Sequence, residues 1–76
     1  MIGQIIANNI RAERTRVRMS QDYVASALGI SRKTYISYEE DASLIKASTL
    51  YKLATILGCS INDFFYSITS QNVNNN

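Results

Sequence analysis

Arg32 and Lys33 stand side by side directly after Ser31, and Thr34, Ile36 and Ser37 follow within the next turn. A serine before a helical run reads as an N-cap, so both cations fall in the first turn of a helix. There each opposes the helix dipole by about 0.3 to 1 kcal/mol unless an anion approaches that end. A phosphate backbone or a guanine edge could be that anion. The plainer alternative is that two long basic side chains bend into solvent at little cost. On a helix, Arg32, Lys33, Ile36 and Ser37 share one side at i, i+1, i+4 and i+5, while Tyr35 and Tyr38 take the other. The first face could donate to guanine O6 and N7 through Arg32 or Lys33, to a base or phosphate through Ser37, and could offer Ile36 to a thymine methyl.

Other chemistry is scarce. The 76 residues contain no histidine, proline or tryptophan and one cysteine. This removes most zinc sites, any intramolecular disulfide and every nucleophile system based on histidine. No paired carboxylates suggest a pocket, so an enzyme is the weakest class, and neither cofactor nor metal is expected. Cys59 follows a glycine at a turn and reads as a small core residue. The net charge of +2 is uninformative as a total, but its distribution is not. Through Tyr38 there are six cations against two anions, a balance of +4; beyond it, two against four, a balance of −2. Solvated charge scattered by chance is the competing explanation.

The elements that must carry these residues are also legible. Ala25-Ser26-Ala27-Leu28-Gly29-Ile30-Ser31 is echoed 29 positions later as Ala54-Thr55-Ile56-Leu57-Gly58-Cys59-Ser60. Each copy reads as a helix ending at leucine, a left-handed glycine, an apolar residue under the turn, and a serine capping the next helix. Two helix-turn-helix corners result; two copies are too few for a repeat array. Ile6, Ile10 and Val17 stripe a first helix from about Gln4 to Val17, and Ser20 caps a second over Gln21 to Leu28. A fourth begins near Ala47 with Leu50, Leu53, Ala54 and Leu57 inward, and Ser60 with Asp63 forms a capping box for a fifth. Tyr23 and Tyr51 read as partly buried packing residues. A single domain over 1–68 with a flexible polar tail over 69–76 is expected, and the opening Met1 to Ile10, broken by Gln4, Asn8 and Asn9, predicts a cytoplasmic protein with no membrane segment.

The segment from Ser20 to Glu39 resembles the phage repressor and Cro-like, or Xre-type, helix-turn-helix family. Its apolar Val24, Leu28, Ile30, Tyr35 and Tyr38, small Ala25 and turn Gly29 fall where that family has them, and the likeness extends over roughly Ile5 to Phe65. It implies an all-α, five-helix, lambda-repressor-like DNA-binding domain. Gln21 matches a residue that contacts a phosphate and braces the reading helix. Arg32, Lys33 and Ser37 match base-contacting positions, Ser31 caps that helix, and Thr34 matches a phosphate contact. Arg14 and Glu39 match a pair that often bridges helices one and three. Their spacing independently puts a charge on each inward face, where a charge wants a partner, unless both reach water separately. The family commonly has glycine where Arg18 stands, and a basic or Asn-Gly turn where Glu40-Asp41 stands, so Lys46 or Lys52 is left to reach the backbone. Asp41 is a candidate for the left-handed turn position.

Phe64, Phe65, Tyr66 and Ile68 form an apolar cluster that reads either as core or as a self-association surface. Relatives often dimerise there. The expected function is a sequence-specific regulator, a repressor by family habit, reading the major groove of a double-stranded, palindromic operator as a homodimer, without a small-molecule ligand. A protein-interaction module of the same fold, such as an antitoxin-like partner with DNA binding secondary, is the alternative.

Overall fold

The computed structural model describes residues 1–66. Four α-helices follow one another: α1 (Ile2–Arg16), α2 (Gln21–Leu28), α3 (Arg32–Glu40) and α4 (Ala47–Leu57), then a 3₁₀ helix over Ile61–Phe65. There is no strand among the described residues. The fifth element is therefore not the α-helix expected. Five residues offer too few i to i+4 bonds to offset nucleation, and the chain turns extended at Tyr66 (φ −70°, ψ 130°). The expected positions Ile68 and 69–76 lie outside the described residues.

The core gathers one stripe from each helix: Ile6, Ala7 and Ile10 from α1, Val24 and Ala25 from α2, Tyr35 from α3, and Leu50, Leu53, Ala54 and Leu57 from α4. Phe64 closes it from the 3₁₀ helix. Ala25 is 2% exposed, which lets α2 lie close to its neighbours, as its small size suggested. Val17 is half-buried just past the end of α1. Tyr23 and Tyr51, expected to be partly buried, are 58% and 61% exposed. Val24, one step after Tyr23, and Leu50, one step before Tyr51, take the inward direction, and the tyrosines swing outward, where their hydroxyls stay hydrated.

Both echoed corners close with the same bonds. At the first, Gly29 (φ 75°, ψ 29°) donates to Ser26 at 3.0 Å and Ile30 N to Ala25 O at 3.0 Å. At the second, Gly58 (φ 70°, ψ 33°) donates to Thr55 at 3.2 Å and Cys59 N to Ala54 O at 3.0 Å. The left-handed glycine lets the chain fold back so that its own amide and the next one reach orphan carbonyls.

Among the described residues the left-handed non-glycine residue is Arg18 (φ 62°), not Asp41, whose φ of −157° is extended. Asp41 has a different task. Its Oδ1 accepts from Ser43 N at 2.9 Å, shaping the loop from α3 to α4 and holding its carboxyl below the ordinary range. That loop is tied to the start of α1 by Ala42 N donating to Gly3 O at 3.0 Å. A Cβ on Gly3 would meet Asp41 Oδ1 and lie 2.9 Å from Ser43 N, so only glycine permits this approach.

Candidate nucleic-acid interface

The start of α3 is set by Ser31, whose Oγ accepts from Thr34 N at 3.1 Å and donates to Thr34 Oγ1 at 2.9 Å. Arg32, Lys33, Thr34 and Ser37 are exposed along the outer face. Ile36 is half-buried rather than fully outward. Ser37 Oγ donates to Thr34 O at 2.5 Å, so its hydroxyl proton is engaged within the helix while its lone pairs face outward.

Beneath that face α3 is fixed by a buried polar network. Glu39 is 4% exposed and Arg14 16%. Arg14 Nε donates to Glu39 Oε2 at 2.6 Å and its Nη2 to Oε1 at 3.1 Å, a two-pronged pair. The third nitrogen, Nη1, donates to Met19 O at 2.9 Å in the turn between α1 and α2. Gln21 Nε2 adds a bond to Glu39 Oε1 at 3.1 Å, and the Tyr35 hydroxyl donates to Oε2. One carboxylate thus joins α1, α2 and α3. Burial pushes the Glu39 carboxyl up, but hydrogen bonds from Arg14, Tyr35 and Gln21, with the Arg14 charge, outweigh it and hold the group below its ordinary value. The bond to Glu39 pushes Arg14 up; burial, then the bond to Glu39, push the Tyr35 phenol well above its usual range. No buried side-chain nitrogen or oxygen among the described residues lacks a hydrogen bond. The structure therefore brings Arg14, Gln21 and Glu39 together.

The expectation that both first-turn cations await an external anion needs correction for Arg32. Its Nε lies 3.2 Å from Asp22 Oδ1 in the first turn of α2, with the two side chains 63% and 71% exposed. Asp22 was legible as a first-turn acid on α2, but not as a neighbour of α3. Lys33 has no ionic partner among the described residues. Lys46 is exposed immediately before α4, as its N-cap residue with no side-chain capping bond. On α1, Arg16 is paired with Glu13 at 2.7 Å.

The C-terminal aromatic cluster divides. Phe64 is wholly buried and belongs to the core, so it is no part of an external surface; Phe65 and Tyr66 are 46% and 52% exposed. What holds them was missed: Asn9 Nδ2 donates to Phe64 O at 2.9 Å and Tyr66 O at 2.6 Å. An asparagine beside Ile10 reads from sequence only as a polar break in an apolar opening. Cys59 packs half-buried against the core, its thiol pushed up by burial and by Glu13 and Asp63, which keeps it protonated.

A helix ending on a left-handed glycine, a short turn and a second helix with a basic outer face define a helix-turn-helix unit. The sequence matches the helix-turn-helix family over residues 10–64, and the chain belongs to that family; it is on this ground a DNA-binding regulator and not an enzyme. No curated protein matches it. Among solved structures it is similar to a hypothetical transcription factor, NHTF, from Neisseria, with TM-score 0.82 and 22% identity over 93% of this chain and 82% of that one. It is also similar to part of the cobalt(II) form of HppE in complex with substrate, with TM-score 0.81 and 24% identity over 87% of this chain and 37% of the other. At these identities the likeness establishes the fold. Among the described residues no helix is long and apolar enough to cross a membrane.

Proposed function

We propose that the chain is a sequence-specific regulator that lays α3 in the major groove of duplex DNA and represses transcription by occupying its operator. The observation that carries this is the contrast between the two sides of α3: Arg32, Lys33, Thr34 and Ser37 exposed above, the saturated Glu39 network below. A rigid helix with donors already ordered recognises base edges with little further entropy loss. In this reading Arg32 and Lys33 donate to guanines, Ser37 accepts from a base, and Ile36 meets a thymine methyl at its exposed edge. Thr34, Ser31, Lys46 and the second amide hydrogen of Gln21 serve the phosphates. The domain spans 1–68 and acts in the cytoplasm, and the NHTF likeness accords with a regulatory role.

Phe65 and Tyr66 support a homodimer through the C-terminal face. Twofold symmetry then sets two α3 helices about 34 Å apart on a palindromic operator. Selection of bound sequences from random duplexes, followed by a salt titration on the winner, tests this directly. A palindromic winner with a steep salt slope is expected. Absence of enrichment rejects the reading and leaves a protein-interaction module of the same fold. For the dimer, Phe65→Ser should halve the sedimentation mass without altering the thermal transition; a monomeric wild-type chain at high concentration rejects that interface.

A further inference from the structure

The contact between Asp22 and Arg32 is too exposed to matter much for folding, since water screens such pairs and the side chains lose rotamer freedom in making them. It also carries a cost for DNA binding. Asp22 follows Gln21 at the start of α2, so its charge stands beside the proposed phosphate contacts and repels every duplex regardless of sequence. The geometry at Arg32 shows what the contact gives in return. The guanidinium is a planar fork; Nε is its nitrogen nearest Asp22, at 3.2 Å in an ion pair without a hydrogen bond, and the end edge formed by its two terminal nitrogens is likewise unbonded among the described residues. That end edge is the one that matches O6 and N7 of guanine together. A free arginine in this first turn would both oppose the dipole and give up its side-chain freedom on binding, whereas the Asp22 charge offsets part of the first cost and, by favouring one direction of the side chain, lowers the second. Lys33, next along the helix, has no fork and no ionic partner among the described residues.

We propose that Asp22 is a positioning residue for specificity: it biases the Arg32 guanidinium toward end-on contact with a guanine, and its charge penalises duplexes that lack that guanine. The proposal rests on major-groove reading by α3. Arg32→Ala, tested on the wild-type winner and on single-base variants of it, identifies the guanine concerned. Asp22→Asn is then expected to lower the preference for that guanine by about three- to ten-fold, a part of what a two-pronged arginine contact supplies. The same substitution is expected to tighten binding to random duplex by about two- to ten-fold, because a like charge near phosphate is removed. In the Arg32→Ala background it should still tighten random binding but leave base preference unchanged. Arg32→Lys, which keeps the charge without the fork, should lose the same preference and make it insensitive to Asp22→Asn. A merely electrostatic role moves random and specific affinity together, and that result, or a guanine preference unchanged or raised in Asp22→Asn, overturns the proposal. If the wild-type chain enriches no sequence, the functional reading fails and this inference with it; enrichment by the wild type with unaltered preference in the variant sinks the inference alone.

Discussion

Gly29 and Gly58 hold nearly the same backbone angles, and each is followed by one half-buried apolar residue and a capping serine. Beyond the serines the two corners part. After Ser60, Asp63 Oδ2 accepts from Ser60 N at 3.0 Å while Ser60 Oγ accepts from Asn62 N at 3.2 Å, so the helix start satisfies its own donors and carries a negative charge that suits the dipole. After Ser31 come Arg32 and Lys33, and the nine residues of α3 run on to the buried Glu39. One corner is electrostatically closed and anchored by the apolar Phe64; the other is left positive at its end and anchored by a carboxylate. The same turn can therefore serve packing or recognition, and the difference lies in the first turn of the helix it launches and in what lies beneath that helix.

The largest effects should come from the two anchors. Glu39→Ala leaves the largely buried Arg14 charge without its counter-ion, with only the bond to Met19 O, and should cost about 3 to 5 kcal/mol, and Phe64→Ala should cost about as much by leaving a cavity. Urea unfolding at several pH values separates them. The Glu39 carboxyl is held below its ordinary value in the folded chain, so its contribution is present at neutral pH and is lost as pH falls through the folded value. The gap between wild type and Glu39→Ala should narrow in acid, while the Phe64→Ala deficit should not. Equal pH dependence in both would erase the distinction between a charged and an apolar anchor.

Next in size, Arg32→Ala or Lys33→Ala should weaken operator binding by about 1 to 3 kcal/mol, and Asn62→Ala at the second corner should leave it unchanged. Binding isotherms in which all three behave alike would dissolve the functional contrast. Gly29→Ala and Gly58→Ala should each cost about 1 to 2 kcal/mol by forcing a Cβ into the left-handed region, although open space surrounds both glycines. Thermal melts giving clearly unequal losses would show that the corners are not one device. The smallest effect belongs to the caps: Ser31→Ala and Ser60→Ala should each cost about 1 kcal/mol. The Ser60 variant retains the bond from its own amide to Asp63, so its loss should be the lesser of the two.

Much of the frame was legible along the chain. The limits of α2, the start of α3 and the end of α4 follow from serine caps and left-handed glycines, and the start of α4 from apolar spacing. The basic face of α3 follows from spacing, and the approach of Arg14 to Glu39 from the need of an inward charge for a partner. Where the reading failed, the missing quantity was distance between segments. Asp22 and Arg32 sit on different helices, and only the crossing of α2 and α3 puts them 3.2 Å apart. Asn9 reaches Phe64 and Tyr66 because the 3₁₀ helix packs across α1. The left-handed Arg18 is a local exception: Met19 returns its amide to Arg14 O at 3.2 Å, the closure that the two glycines make at the other corners, at a position where the family commonly has glycine.

By itself the sequence determined where four α-helices lie, that α2 and α4 stop at a glycine, and which helix carries cations at its start. These depend on bonds between residues at most five apart and on local backbone preference, which side-chain type controls directly. Only the tertiary structure decided that Phe64 is core while Phe65 is surface, that Gln21 and Tyr35 share the Glu39 carboxylate with Arg14, and that Arg32 lies beside Asp22 while Lys33 has no ionic partner among the described residues. Those outcomes depend on how helices cross, and a crossing is settled by the packing of all the faces at once.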